Sequence, residues 1–147
     1  MIFFEDVQPG TVRETGSKTV TAEEIIAFAR EFDPQYFHLD AVAAKDSIFG
    51  GLVASGWHTA SMAMRLMVDS FVGTAASIGS PGFDDLRWRV PVRPGDTLRV
   101  RSTVLDKAPS QRRPDIGSVR FTTECLNQRD EVVMSLTSIA LYRRRPA

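Results

Sequence analysis

Residues 32–40, FDPQYFHLD, and residues 47–72, SIFGGLVASGWHTASMAMRLMVDSFV, decide how the rest of the chain is read. In the second segment Val53, Trp57, Ala60, Met64, Met67, Val68 and Phe71 recur at helical spacing, and Ala54, Ala63 and Leu66 widen the stripe. Gly56 near its start, with Ser55 as a possible cap, predicts a helix over about 56–72. Few of its residues are obliged to face water, so the helix is expected to be central, with most of its circumference covered. Arg65 and Asp69 are spaced to pair on its wetter side, worth roughly 0.2–0.5 kcal/mol.

Working outward, Thr21 with Glu24 three residues on is a capping-box pattern. Ile25, Ile26, Phe28, Ala29 and Phe32 then form an apolar stripe. Pro34 disfavours helical geometry at Asp33, so this first helix should stop near Phe32. Asp40 can cap a short helix over 41–45, and Gly50-Gly51 interrupts regular structure before the long helix. Thr11 to Val20 reads as a strand weakened by Gly16. Residues 73–82, small and containing Pro81, read as a loop.

Thereafter the period becomes two. Leu86, Trp88 and Val90, then Leu98 to Val104, Val119 to Cys125 and Val133 to Leu141 supply four strands. Pro94-Gly95-Asp96 is expected to join the first pair and Asn127–Asp130 the last, with a long basic link over 108–117 between them. The order strand, helix, long helix, four antiparallel strands predicts an α+β chain with one domain over 1–147. Its curved antiparallel sheet would wrap around the long helix, the hot-dog arrangement. The edges of such a sheet need protection, and pairing two sheets makes a homodimer the expected assembly.

Composition narrows the function. The 147 residues are 43% hydrophobic, enough for a real core. Lys plus Arg and Asp plus Glu are both 18, which argues against a general nucleic-acid binder and gives little repulsion against self-association. The single cysteine, Cys125, excludes an intrachain disulfide and a cysteine-rich zinc site, and reads as a buried, inert thiol. No apolar run reaches the roughly 18 residues of a membrane span. The start MIFFEDVQPG is acidic where a secretory signal is basic, so cytoplasmic placement is expected.

Chemistry converges on the opening segments. Both histidines, His38 and His58, lie there, and Asp33 precedes His38 across a proline-containing connection. A carboxylate and an imidazole sharing one water can activate it near neutral pH. The first N–H groups of the long helix have no intrahelical acceptor and favour negative charge, and Gly56 has no side chain to block approach to them. Asp33, His38 and the Gly56 N–H therefore form a candidate catalytic set, with Gly56 equally explained as a close-packing residue. His38 and His58 lack a compact ligand spacing, so no metal is expected. His58 reads as structural and Ser55 as a helix cap. Met62, Met64 and Met67 read as core, part of which could floor a pocket. Arg87, Arg89, Lys107, Arg112 and Arg113 are candidate phosphate contacts, each also explained by solubility.

The segments FAREFDPQYFHLD, FGGLVASGWHTA, GSPGFDDLRWRVPVRPGDTL and NQRDEVVMSLTSIAL, in that order, resemble the MaoC-like acyl dehydratases, which include the (R)-specific enoyl-CoA hydratases. The resemblance implies that Asp33 and His38 hold and activate the water, and that the Gly56 N–H polarises the thioester carbonyl. It implies syn addition of water to a trans-2-enoyl-CoA, giving a 3-hydroxyacyl-CoA, by a homodimer that needs no cofactor beyond the coenzyme A of its substrate. Two departures bear on the acyl group. Pro34 lies four residues before His38, where the simple hydratases have proline two before, and Trp57 adds bulk after Gly56. A branched, short or carboxylated acyl group is therefore as compatible as a fatty one. An acyl-CoA thioesterase would use the same fold with water aimed at the thioester carbon. A non-catalytic acyl-thioester-binding protein would not need both Asp33 and His38.

Overall fold

The structure is a computed structural model that describes residues 1–146. Its principal elements are β1 (Val12–Thr19), α1 (Ala22–Phe32), α2 (Tyr36–Leu39), α3 (Gly56–Ser70), β2 (Ser77–Trp88), β3 (Thr97–Pro109), β4 (Ile116–Leu126) and β5 (Val132–Arg143), with short 3₁₀ turns between some of them. The Thr21 hydroxyl caps α1 by accepting from the Glu24 N–H at 3.2 Å. Glu24 does not reach back to complete a capping box; its carboxylate pairs with Lys18 at 2.8 Å. Asp40 Oδ1 accepts from the Val42 and Ala43 N–H groups and starts the 3₁₀ turn Ala43–Asp46. Arg65 and Asp69 pair on α3 at 2.8 Å.

The architecture is α+β and hot-dog-like, with one five-stranded antiparallel sheet in the order β1-β3-β4-β5-β2. The expected wrapping of a curved sheet around a central helix is not found. The sheet is open, ending in two edges, β1 and β2, and α3 lies on one face along β1 and β3. Trp57, Met64 and Val68 are 59%, 41% and 40% exposed, so much of the helix circumference is uncovered. An apolar stripe shows which side of a helix can be buried; how far the sheet reaches around it depends on which strands pair.

Two further expectations fail for related reasons. Pro94-Gly95-Asp96 does not make a hairpin, because β2 pairs with β5 and not with β3. The Gly95 N–H donates to the Val20 carbonyl and the Val20 N–H to the Asp96 carbonyl, so this turn carries the chain across to the end of β1. Much of the stretch read as a loop over 73–82 is the first half of β2. That strand tolerates Pro81 because it is an edge, and it carries three register shifts, two of them adjoining Gly79 at φ 134°.

The core lies between α1, α3 and the sheet, around Val20, Ile25, Ala63, Leu98, Val100, Val133 and Met134. A smaller cluster of Phe4, Val7, Val104, Val119 and Tyr142 closes the other end. Cys125 is fully buried, and burial pushes its thiol up to about 12, which leaves it inert at neutral pH. Between α3 and the β2–β5 side of the sheet a cavity of about 600 Å³ remains. Among the described residues no helix is long and apolar enough to cross a membrane.

Candidate active site

Asp33 is the residue at which α1 stops, with its backbone at φ −152° and ψ 67°. Pro34 turns the chain directly into α2, whose third residue is His38. Asp33 Oδ2 and His38 Nε2 lie 3.3 Å apart, with the imidazole buried and the carboxylate partly open. On the other side of the ring, Nδ1 is 2.6 Å from the Val53 carbonyl oxygen. A carbonyl only accepts, so Nδ1 carries a proton and donates it there, which leaves Nε2 as the ring atom that faces Asp33. The Val53 N–H donates in turn to the Phe37 carbonyl, and the Ala54 N–H to the Val92 carbonyl, fixing the segment before α3 on both sides.

Asp33 is surrounded by donors. The Ser55 hydroxyl donates to Oδ2 at 2.7 Å and the Gln35 side-chain amide to Oδ1 at 2.7 Å. Burial raises the affinity of this carboxyl for its proton, but the bonds from Ser55 and Gln35 and the adjacent imidazole outweigh it and hold the group below its ordinary value. The carboxylate is therefore ionised at neutral pH. Opposite it, at 3.3 Å, stands the imidazole Nε2, and a water touching both atoms would be polarised by both.

Sequence reasoning missed the use of Ser55 and Gln35. Ser55 does sit at the N-cap of α3, but its hydroxyl makes no cap hydrogen bond, because it is committed to Asp33. Such a cap contributes about 1 kcal/mol. The leading N–H groups of α3 are thereby left without a side-chain acceptor, next to the Asp33–His38 pair. Gly56 is the first residue of α3, and a Cβ there would meet the Trp88 indole at 2.4 Å. The packing explanation of this glycine is thus real, and the face of Gly56 on that side is covered by Trp88.

The five basic candidates do not gather at this pair within the chain. Arg87 near the end of β2 and Arg89 just beyond it flank Trp88, and the alternation sends them to the sheet face away from α3, where Arg89 donates to the Ser135 hydroxyl at 2.8 Å. Lys107, near the far end of β3, donates to the Phe4 and Glu5 carbonyls. Arg112 and Arg113 lie in the β3–β4 turn, with Arg113 paired to Asp115 at 2.6 Å. Arg93, not singled out from the sequence, donates to the Phe49 carbonyl at 2.6 Å in the loop leading to α3. Among the described residues no three His, Cys, Asp or Glu side chains are grouped so as to hold a metal ion.

His58 stands apart from the pair. It is buried, stacks on Phe28 at 4.7 Å, and its Nδ1 has no hydrogen-bond partner among the described residues. Burial depresses its proton affinity, opposed by the Glu24 carboxylate and reinforced by Lys18. The unfolded chain takes up this proton near pH 6.5 while the folded chain resists it, so stability is lost as pH falls from about 6.5. Denaturant midpoints at pH 7.5 and 5.5 should therefore differ less for His58→Phe than for the unsubstituted protein; an unchanged difference would exclude His58 as a cause.

The family model described as MaoC like domain matches residues 5–125. The chain is 39% identical over 112 residues to Protein MaoC of Klebsiella aerogenes, covering 76% of this chain and 33% of that protein, so it spans about a third of that relative's length. It is 29% identical over 135 residues to the 3-hydroxybutyryl-CoA dehydratase of Methylorubrum extorquens, covering 91% and 80%. Among solved structures, the MaoC-like dehydratase from Rhodospirillum rubrum is 48% identical with a TM-score of 0.94, each chain covered in full. With a family match running from the first turn to the end of β4 and this fold beneath it, the chain belongs to the MaoC-like dehydratase family.

Proposed function

We propose that residues 1–147 act as one MaoC-like unit that reversibly adds water to a trans-2-enoyl-CoA to give a 3-hydroxyacyl-CoA. The observation that carries this reading is the 3.3 Å approach of Asp33 Oδ2 to His38 Nε2 beside an α3 start whose N-cap serine is turned away. In hydration, a water held between the two gives a proton to Asp33 as its oxygen bonds to the β carbon. His38, with Nδ1 anchored on Val53, orients that water through Nε2 and helps return a proton to the α carbon. Both atoms act from one side of the substrate, so addition is syn. Asp33 alone, with its lowered proton affinity, is a weak base; the pair acts as a unit. The Gly56 N–H is proposed to meet the enolate oxygen that develops on the thioester.

The substrate brings coenzyme A and no other cofactor is invoked. For its phosphates the proposed contacts are Arg87 on the exposed edge strand and Arg89 just beyond its end, the two basic candidates beside Trp88; Lys107, Arg112 and Arg113 lie at the far end of the sheet. The proposed assembly is a homodimer. Edge strand β2 exposes Ile78, Phe83 and Trp88 along an unpaired backbone, a surface that a second copy would cover.

Crotonyl-CoA mixed with the protein should lose the absorbance of its conjugated thioester without releasing free thiol. The same preparation should show twice the mass of one chain by light scattering. Thiol release without hydration would assign thioesterase chemistry instead, and neither reaction would leave a non-catalytic acyl-thioester-binding protein.

A further inference from the structure

The cavity beside α3 is not uniformly apolar. Trp57, immediately after Gly56, stands at one end of its helical wall and Phe71 at the other, about 21 Å apart at 1.5 Å per residue. Its floor is the inner face of the sheet. There Ser102 of β3 lies directly opposite Thr123 of β4, and Thr123 opposite Leu136 of β5, with Ser138 two residues farther along the same face. Ser102 and Thr123 are 5% and 2% exposed, and what surface they retain faces the cavity. Neither these two hydroxyls nor that of Ser138 forms a side-chain hydrogen bond among the described residues. Their oxygens open onto the cavity, so whatever fills it displaces the water that meets them there and must replace its hydrogen bonds.

Every side chain lining the cavity is uncharged. A carboxylate placed there would lose its hydration with no cation to replace it, whereas a hydroxyl or keto oxygen needs only the donors and acceptors present. A saturated alkyl chain would fill the space and leave Ser102 and Thr123 unsatisfied. We propose that the acyl group accepted here carries a neutral oxygen function, a hydroxyl or ketone distant from the thioester, which hydrogen-bonds to Ser102 and Thr123 with Ser138 alongside. This rests on the reading of the chain as an acyl-CoA enzyme and names the class of acyl group.

The test is a binding measurement that does not depend on turnover. Calorimetric titration would compare octanoyl-CoA with eight-carbon acyl-CoAs bearing a hydroxyl or keto group at carbon 5 or carbon 7, and with the ω-carboxylated chain of the same length. At least one oxygenated thioester should bind about tenfold more tightly than octanoyl-CoA, as expected for two or more added hydrogen bonds, and the ω-carboxylate should bind most weakly. In Ser102→Ala/Thr123→Val that preference should fall to about one. Equal or tighter binding of octanoyl-CoA by the unsubstituted protein overturns the proposal, as does a preference that survives the double substitution. Absence of hydration together with the expected preference would sink the catalytic reading and leave this one standing. Absence of binding to every acyl-CoA would remove both.

Discussion

Asp33→Asn is expected to lower the rate of crotonyl-CoA hydration by about 10²–10⁴, the range of a lost general acid–base group. The amide is nearly isosteric, but its NH₂ cannot accept. Gln35 donates to Oδ1 and Ser55 to Oδ2, so one oxygen position must now face a donor with a donor. Ser55 can turn its hydroxyl to accept, which places the new NH₂ at the Oδ2 position, within reach of His38 Nε2. A hydrogen bond there would take up the Nε2 position at which the proposed water is held. His38→Gln should cost a similar factor. The double variant should be little worse than either, because groups that act on one water are not additive. Secondary structure and the solution mass of the unsubstituted protein should be retained. Steady-state rates above a tenth of the unsubstituted protein for Asp33→Asn would remove it from the mechanism.

Gly56→Ala should damage both fold and activity, and the two effects can be separated. The added Cβ would lie 2.4 Å from Trp88 Cε2 and 2.6 Å from Cδ2, atoms of a rigid ring that stacks edge-on against Trp57 at 5.1 Å. Overpacking of this kind costs about 1–3 kcal/mol. Removing the indole makes room, so Gly56→Ala/Trp88→Ala should no longer suffer the clash while keeping the N–H at position 56. Gly56→Pro/Trp88→Ala lacks that N–H. Proline is tolerated at the first helical position, and Ser55, at φ −56° and ψ 141°, already has the extended backbone that proline requires before it. The two double variants should thus melt at similar temperatures. If the Gly56 N–H meets the developing oxyanion, hydration should be about 10²–10³ slower in the proline variant. Equal rates would reduce Gly56 to a packing residue under Trp88.

These two experiments touch residues that were legible in different degrees. Asp33 and His38 could be singled out because acid, proline and imidazole lie within six residues, and local turns bring such neighbours together. Ser55 and Val53 could not. Their roles depend on the segment before α3 folding back over α2, some twenty residues away, and a serine before a helix is read as its cap until a better acceptor appears. The basic residues failed to converge for a similar reason. Their signal was charge alone, and whether Arg89 faces α3 or the opposite side is set by strand register. The unpaired hydroxyls of Ser102 and Thr123 looked like ordinary alternation within apolar strands.

By itself the sequence determined most of the elements: the end of α1, the start of α3, the period-two strands after residue 86, the inert cysteine and the closeness of Asp33 and His38. Each of these follows from interactions within a few residues, namely capping, helical spacing, alternation and the stiffness of proline. The tertiary structure alone decided that β2 crosses to pair with β5, that the sheet stays open beside α3 rather than enclosing it, and that a cavity with two hydroxyls facing into it lies between them. Those features are pairings between distant segments. Many strand orders satisfy the same alternation, and packing in three dimensions selects the one that buries Val100, Val133 and Met134 together.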